Sequence, residues 1–135
     1  MNDFNTSIID EFHANAGVVG GPFDGAPMIL ITTTGAKSGQ RRTTPLVYLP
    51  FEGKVYIFGS KAGAPTNPDW YHNLTANPAV TVEIGTEKYE ATAVEVTGAE
   101  RDRLYAEQVS RMPGFKTYEE STTRVIPVVE LQRNA

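Results

Sequence analysis

Three apolar, β-branched runs follow one another closely between residues 28 and 60, and this spacing is the strongest constraint that the sequence places on the fold. The runs are Met28–Thr34, Arg42–Phe51 and Val55–Ser60, with turns at Gly35–Gly39 and Glu52–Gly53 between them. Strands joined by so few residues must run antiparallel, because a parallel pair needs a crossover of about a dozen residues or more. The spacing therefore predicts consecutive hairpins and disfavours an alternating strand-helix-strand fold.

Three more strands and three helices are predicted along the rest of the chain. Val80–Ile84 and Lys88–Val96 form a hairpin around Gly85–Thr86, and Val125–Leu131 is the last strand. The helices are predicted at Thr6–Asn15, Asn67–Asn77 and Gly98–Arg111.

Six strands with few devices that protect an open sheet edge favour closure of the sheet into a barrel. The chain has 135 residues, which favours one domain over residues 1–135, with an N-terminal helix and loop in residues 1–20. We therefore predict an α+β protein with a mostly antiparallel, six-stranded barrel. The helix Asn67–Asn77 is expected to cross one end of that barrel.

Charge is distributed unevenly along the sequence. The net charge is −4, yet Lys37, Arg41 and Arg42 fall within six residues, and no acid lies between Asp24 and Glu52. An acidic chain binds nucleic acid poorly, so the local cations indicate a discrete anionic ligand.

Cysteine is absent, which excludes disulfides and thiolate chemistry and fits a reducing cytosol. No apolar run is long enough to span a bilayer, and no secretory signal precedes the first helix. We expect a cytoplasmic protein without stable membrane insertion. Peripheral contact with the inner face of the cell membrane stays open.

The stretch Thr32–Thr44 combines two glycines, several hydroxyls and three cations around one turn. Backbone N–H groups freed at glycines, hydroxyls and cations together form an anion site. The stretch is not a P-loop, because Gly35-Ala36 precedes Lys37 and a strand follows instead of a helix. The alternative is an ordinary solvated hairpin tip.

Two later stretches extend this candidate site. In Gly59–Ala64, Ser60 and Lys61 leave a strand just before a helix and can supply donors, although a flexible loop is the alternative. The helix that begins at Asn67–Asp69 has backbone donors at its start, with Asn67 as the expected cap.

Aromatic side chains near these stretches have two interpretations. Trp70 and Tyr71 can wall a planar ring, although a lone Trp more often packs in a core. The two histidines, His13 and His72, are too scattered to predict a metal site. Pro113 and Gly114 can hinge a loop from Met112 to Tyr118, which suits a mobile lid over an apolar substrate, although ordinary packing explains it nearly as well.

The order of these motifs resembles the deazaflavin-dependent nitroreductase family. Its specific elements here are Thr-Thr-Gly-x-Lys-Ser/Thr-Gly at residues 33–39 and Asn-Pro-x-Trp-Tyr at residues 67–71. The resemblance runs from about Pro27 to Leu131 and includes the segments Leu30–Leu46, Gly59–Ala64, Asn67–Pro78 and Arg124–Val129.

The resemblance implies a split β-barrel related to flavin-binding split barrels. It also implies binding of coenzyme F420, an 8-hydroxy-5-deazaflavin with a phosphate and an oligoglutamate tail, and hydride transfer to quinones, other electron-poor conjugated compounds or nitroaromatics. Two alternatives stay open: an FMN-dependent split-barrel oxidoreductase and a non-catalytic carrier of the cofactor. The expected partner is a small-molecule hydride acceptor, with no nucleic acid and no metal.

Site residues carried over from the family fall into three groups. Along the phosphate and glutamate tail we expect Ala36, Lys37, Ser38, Arg42, Thr43, Thr44, Pro45, Leu46 and Val47. Around the deazaflavin ring we expect Phe58, Gly59, Ser60, Lys61, Asp69, Trp70, Tyr71, His72 and Asn73. Met112, Phe115 and Tyr118 are assigned to the acceptor pocket, and Ser60 and Tyr118 to orientation of the acceptor during catalysis.

Two departures from the family pattern concern the acceptor and the membrane. Family members often place several tyrosines where this chain has only Tyr118 beside Met112 and Phe115. Some members also carry a longer N-terminal segment that touches membranes. Here the first helix is short and contains Asp10 and Glu11, which disfavour an anionic surface.

Overall fold

A computed structural model describes residues 3–23 and 25–134 of the chain. The helices are α1 Asp3–Ala14, α2 Asp69–Ala76, α3 Gly98–Arg111 and α4 Gly114–Glu120. The strands are β1 Met28–Thr34, β2 Arg41–Val47, β3 Leu49–Phe51, β4 Lys54–Phe58, β5 Ala79–Ile84, β6 Glu87–Val96 and β7 Val128–Arg133. Short 3-10 turns lie at Gly21–Phe23 and Lys61–Gly63.

All the strands belong to one antiparallel sheet in the order β2-β1-β5-β6-β7-β4-β3. The two edge strands, β2 and β3, are separated by Tyr48 alone. Successive Cα atoms are about 3.8 Å apart, so Val47 and Leu49 lie within about 7 Å of each other. The two edges of the sheet must therefore meet there, and the sheet curls into the predicted split barrel.

The sheet has seven strands instead of the predicted six. The predicted strand Arg42–Phe51 divides at Tyr48, because its first part pairs with β1 and its second part pairs with β4. Pro45 lies within β2. A proline is tolerated on an edge strand, where the missing N–H has no ladder partner to lose.

Helix α2 packs against the inner face of the curled sheet. Ile29 and Ile31 of β1 point inward and pack in one cluster with Trp70 and Leu74 of α2. Leu30, which lies between them in β1, points to the outer face of the sheet and packs against α1. The interior cluster fixes the position of α2 relative to β1 and so positions the site described below.

The predicted loop after α3 is instead a helix, α4. Phe115 of α4 is buried and packs with Phe58, Tyr105 and Val128 on the outer face of the sheet. Burial of this aromatic side chain anchors α4 in the outer-face cluster, and the sequence pattern is too short to reveal it. Pro113–Gly114 therefore separates two packed helices.

The predicted cap of α2 is also different. The helix begins at Asp69 with Pro68 in the cap position, and no side chain caps it by a hydrogen bond. The side chain of Asn67 instead accepts a hydrogen bond from Arg124. The three predicted helices are otherwise present, with α1 beginning earlier than Thr6.

Candidate functional site

An open cleft of about 730 Å³ lies between the β1–β2 turn and the first half of α2. Its lining residues are Gly35, Ala36, Lys37, Ser38, Arg42, Asp69, His72 and Asn73. All of them except Gly35 belong to the site predicted from the sequence. The fold thus brings together two stretches that are about 30 residues apart in the chain. One is the turn from Gly35 to Arg42, called the cationic turn below, and the other is the start of α2.

Asn73 joins the two walls of the cleft. Its side chain is buried, its Oδ1 accepts a hydrogen bond of 2.9 Å from the Ala36 N–H, and its Nδ2 donates one of 3.1 Å to Thr33 Oγ1. A buried amide that is satisfied on both sides holds its partners in one arrangement, because breaking either bond leaves a polar group without a partner. Asn73 therefore fixes the cationic turn relative to α2.

Hydrogen bonds within the turn leave fewer backbone donors than the sequence suggested. The Gly35 N–H donates to the Gln40 carbonyl at 2.8 Å, and the Gly39 N–H donates to the Gly35 carbonyl at 3.0 Å. The Gln40 N–H donates to Ser38 Oγ at 3.2 Å. The expectation that N–H groups at the glycines are free to bind an anion is therefore wrong. The N–H groups of Gly35 and Gly39 are therefore unavailable to an anion, which leaves the cationic side chains and the other N–H groups of the turn.

Lys37 and Arg42 are the two cationic residues that line the cleft. Both are exposed, and within residues 3–23 and 25–134 neither side chain has a hydrogen bond or an ion pair in the structure. Arg41 differs from its neighbour because its guanidinium donates to Thr34 Oγ1 at 3.2 Å and to Thr81 Oγ1 at 2.7 Å. With Asp69 opposite, the cleft has two uncommitted cations and one carboxylate. It is suited to an anion that remains partly in solvent.

The rest of β2 does not present one surface to a ligand. Leu46 packs against the barrel interior, whereas Val47 packs against the α1 cluster on the outer face. Thr43 Oγ1 lies 2.8 Å from Thr32 Oγ1 in a hydrogen bond between β1 and β2. Successive side chains of a strand point to opposite faces of the sheet. The predicted run Arg42–Val47 is thus divided between the cleft, the interior and the outer face.

The segment after β4 approaches the start of α2. A Cβ atom added at Gly59 would lie 2.7 Å from Pro127 Cγ and 3.5 Å from Pro68 Cδ, so glycine permits this close packing. Ser60 is 8% exposed, and Lys61 Nζ donates to Thr66 Oγ1 at 3.2 Å. Phe58 packs in the outer-face cluster with Tyr105 and Phe115. Of the four predicted residues here, Ser60 and Lys61 remain the candidates for contact with a ligand.

Trp70 and Tyr71 do not line the cleft. Trp70 is 5% exposed and packs in the barrel interior, which corresponds to the core interpretation of a lone tryptophan. The Tyr71 hydroxyl donates to Glu95 Oε1 at 2.7 Å. Burial, followed by the Glu95 carboxylate, raises the pKa of Tyr71 to about 12. Tyr71 therefore stays a neutral phenol at physiological pH.

The three residues predicted for the acceptor pocket belong to one outer-face cluster, in which Met112 and Tyr118 pack against the group that contains Phe115. Phe115 is 8% exposed in the outer-face cluster. Tyr118 is half-buried, and its ring meets that of Phe115 edge-on with 5.1 Å between centroids. Met112 lines a separate cavity of about 460 Å³ that also includes Tyr48.

Tyr118 lies beside the Lys61–Gly63 turn. A Cβ atom at Gly63 would be 3.1 Å from the Tyr118 carbonyl oxygen. The two residues predicted to orient an acceptor, Ser60 and Tyr118, are therefore on neighbouring elements.

Arg124 was not predicted as a site residue, although it begins one of the motifs that carry the resemblance. Its guanidinium donates hydrogen bonds to the segment between β4 and α2. In the sequence, Arg124 is a single arginine just before the predicted last strand, and its residue type alone does not indicate which groups its side chain binds.

Neither a metal centre nor a membrane span is found in the part of the chain that the structure describes. No group of three or more His, Cys, Asp or Glu side chains there could hold a metal ion. None of the described helices is both long and apolar enough to cross a bilayer.

Known proteins resemble this chain over most of its length. An F420H(2)-dependent quinone reductase of Mycobacterium tuberculosis (strain H37Rv) is 37% identical over 126 residues, which is 90% of this chain and 85% of that protein. A solved F420-H2 dependent reductase is 40% identical, with a TM-score of 0.72 over 78% of this chain and 94% of that one. A solved domain-swapped dimer is 34% identical, with a TM-score of 0.74 over 96% and 98%.

The family assignment rests on a match along nearly the whole chain. The sequence profile for F420H(2)-dependent quinone reductases matches residues 7–133, which include both walls of the cleft, the segment after β4 and Arg124. Relatives with more than 30% identity agree with this match. The chain therefore belongs to the F420H(2)-dependent quinone reductase family.

Proposed function

We propose that this protein binds reduced coenzyme F420 and uses it to reduce a quinone or another electron-poor conjugated acceptor. The observation that carries the proposal is the cleft with two uncommitted cations, Lys37 and Arg42, in a chain of this family. A cofactor with a phosphate and several glutamate carboxylates needs such a cationic surface. An acidic protein has few other places to bind it.

The donors of the cleft fit the tail of this cofactor. Lys37 and Arg42 supply charge-assisted hydrogen bonds, and the Ser38 hydroxyl supplies a neutral one. The open shape suits a tail with several acidic groups, because the groups that the protein does not bind can stay hydrated. Asp69 opposes negative charge on its side of the cleft, so we assign the tail to the side of Lys37 and Arg42.

The ring of the cofactor is assigned to the region near Ser60 at the end of β4. When bound, reduced coenzyme F420 would supply a hydride, whereas the protein supplies binding, orientation and polarity. Ser60 and Tyr118 lie on neighbouring elements, and their hydroxyls can orient a carbonyl oxygen of the acceptor. Holding two reactants in a productive arrangement contributes up to roughly 7–11 kcal/mol toward lowering the barrier.

A quinone takes up a proton as well as a hydride, and the structure narrows the choice of donor. Tyr71 is unsuitable because its pKa is about 12 and its hydroxyl already donates to Glu95. We therefore assign protonation of the acceptor to solvent, with Ser60 and Tyr118 in an orienting role.

Three titrations test this proposal directly. The purified protein is titrated in parallel with coenzyme F420, FMN and NADPH, and oxidation of the reduced cofactor is then followed with a panel of quinones and nitroaromatics. Saturable F420 binding with quinone-dependent oxidation is the expected result. Preference for FMN would contradict the cofactor assignment, and tight F420 binding without turnover would identify a carrier instead of an enzyme.

We also propose a cytoplasmic protein that does not depend on a membrane surface for activity. The acidic residues Asp10 and Glu11 in α1 support this, because negative charges repel an anionic lipid surface. Co-sedimentation with vesicles that contain anionic lipid provides the test. Stable binding of the protein to those vesicles would contradict the proposal.

A further inference from the structure

We propose that Arg124 is a positioning residue that holds the segment from Gly59 to Asn67 in its active conformation and connects it to α2. The inference rests on the function proposed above and assigns Arg124 a role in it. Arg124 itself is not assigned to contact with the cofactor or the acceptor.

Arg124 binds four acceptors in one short segment. Its Nη1 donates to the Gly59 carbonyl at 3.0 Å and to Asn67 Oδ1 at 2.8 Å. Its Nη2 donates to the Ser60 carbonyl at 2.9 Å, and its Nε donates to the Ala64 carbonyl at 2.9 Å. The planar guanidinium has five N–H groups in a fixed arrangement, and four contacts to neutral oxygens use most of them. The cross-link thus joins three backbone carbonyls and one side-chain amide, and it is not an ion pair.

The segment needs such a cross-link because its backbone is strained. Lys61 and Ala62 have φ angles of 47° and 54°, a left-handed conformation that non-glycine residues rarely adopt. Two consecutive residues of this kind persist only where surrounding contacts determine them. Arg124 supplies those contacts by joining the residues before the strained turn to the residues after it.

The two ends of the segment belong to the two parts of the proposed site. At one end, Arg124 fixes the carbonyl of Ser60, the residue assigned to orient the acceptor. At the other end, it binds Asn67, two residues before the Asp69 that lines the cleft. Asn67 is therefore used to connect α2 to Arg124 and not to cap the helix. Arg124 thus connects the end of the segment that carries Ser60 with the end that leads into the cleft.

The test compares Arg124→Ala and Arg124→Lys with Arg133→Ala as the matched control. Arg133 is an exposed arginine on β7 that binds Glu87, away from the cleft and from Ser60. We expect Arg124→Ala to lower kcat for quinone reduction by about tenfold to a hundredfold, because a displacement of about 1 Å can have that effect. The dissociation constant for coenzyme F420 should change by less than about threefold, because Lys37 and Arg42 remain. Arg133→Ala should leave both constants unchanged.

Chemical rescue separates positioning from general stability. Added guanidinium or ethylguanidinium ion should restore part of the kcat of Arg124→Ala but none of that of Ser60→Ala. Arg124→Lys should restore little activity, because one ammonium group cannot reach four acceptors. Absence of rescue, or equal losses in kcat and cofactor affinity, would contradict a positioning role.

Amide hydrogen exchange provides a readout that needs neither cofactor nor turnover. In Arg124→Ala, exchange should accelerate at residues 60–64 while β1 and β5 keep their protection. Unchanged exchange at residues 60–64 would overturn the inference even if the enzyme is active. If the wild-type protein does not oxidise the cofactor, the proposed function fails, whereas the exchange result still decides the role of Arg124. If Arg124→Ala does not fold, the same exchange measurement is made on Arg124→Lys.

Discussion

Arg41 and Arg42 are adjacent, carry the same charge and have different surroundings, so they form a matched pair for testing the cationic cleft. Arg42 lines the cleft without a partner in the described part of the chain, whereas Arg41 binds Thr34 and Thr81. Replacement of either residue by Gln changes the net charge by the same amount. Arg42→Gln should weaken coenzyme F420 binding, and Arg41→Gln should have little effect.

The size of the effect follows from exposure. Two unit charges 4 Å apart attract by about 1 kcal/mol in water and by about 4 kcal/mol at an effective dielectric constant of about 20. Arg42 is exposed, so the lower part of that range applies, and about 1–2 kcal/mol is expected. Since 1.4 kcal/mol is a factor of ten, Arg42→Gln should raise the dissociation constant about 5- to 30-fold. Arg41→Gln should raise it by less than about threefold.

Fluorescence titration with coenzyme F420 at low and high salt provides the assay. The Debye length falls from about 10 Å at 0.1 M salt to about 3 Å at 1 M, so the difference between the two variants should shrink at high salt. Equal losses of affinity for Arg41→Gln and Arg42→Gln at low salt would refute the reasoning. That result would mean that cofactor binding depends on overall charge and not on this cleft.

Three further predictions concern residues that support the site. Phe115→Ala should lower the free energy of unfolding in urea by about 3–5 kcal/mol, because Phe115 is buried against Phe58; a change in quinone kinetics at unchanged stability would instead place it in the acceptor pocket. Burial raises the pKa of Tyr105 to about 12, which is above the value of about 10 in the unfolded chain. The free energy of unfolding should therefore decline as the pH rises from about 10 through 12. Tyr105→Phe should remove part of that decline in unfolding measurements. Asn73→Ala leaves the Ala36 N–H without its partner and should cost about 1–3 kcal/mol in unfolding while also weakening F420 binding; unchanged F420 affinity would show that the turn keeps its shape without Asn73.

Local patterns were sufficient to predict most strands and the two walls of the cleft. The hairpins followed from the short separations between apolar runs, which leave no room for another connection. The cationic turn and the start of α2 were each recognisable from residue type. Their meeting in one cleft agrees with the family resemblance, and it depends on the packing of Trp70 and Leu74 inside the barrel.

Features determined by tertiary contacts could not be predicted. The division of β2 from β3 at Tyr48 depends on which strands the two halves pair with, and tyrosine is itself a residue type that favours a strand. The helix α4 depends on burial of Phe115. Asn67 has the residue type of a helix cap, but the partner it finds is Arg124, 57 residues away.

A crystal structure of the protein with coenzyme F420 bound tests the central claim most directly. We predict that acidic groups of the tail lie within hydrogen-bonding distance of Lys37 Nζ and the Arg42 guanidinium, with the ring system on the side of Ser60. The segment Gly59–Asn67 should keep its contacts with Arg124. Cofactor bound elsewhere, for example in the cavity lined by Tyr48 and Met112, with the cleft left to solvent, would contradict the account.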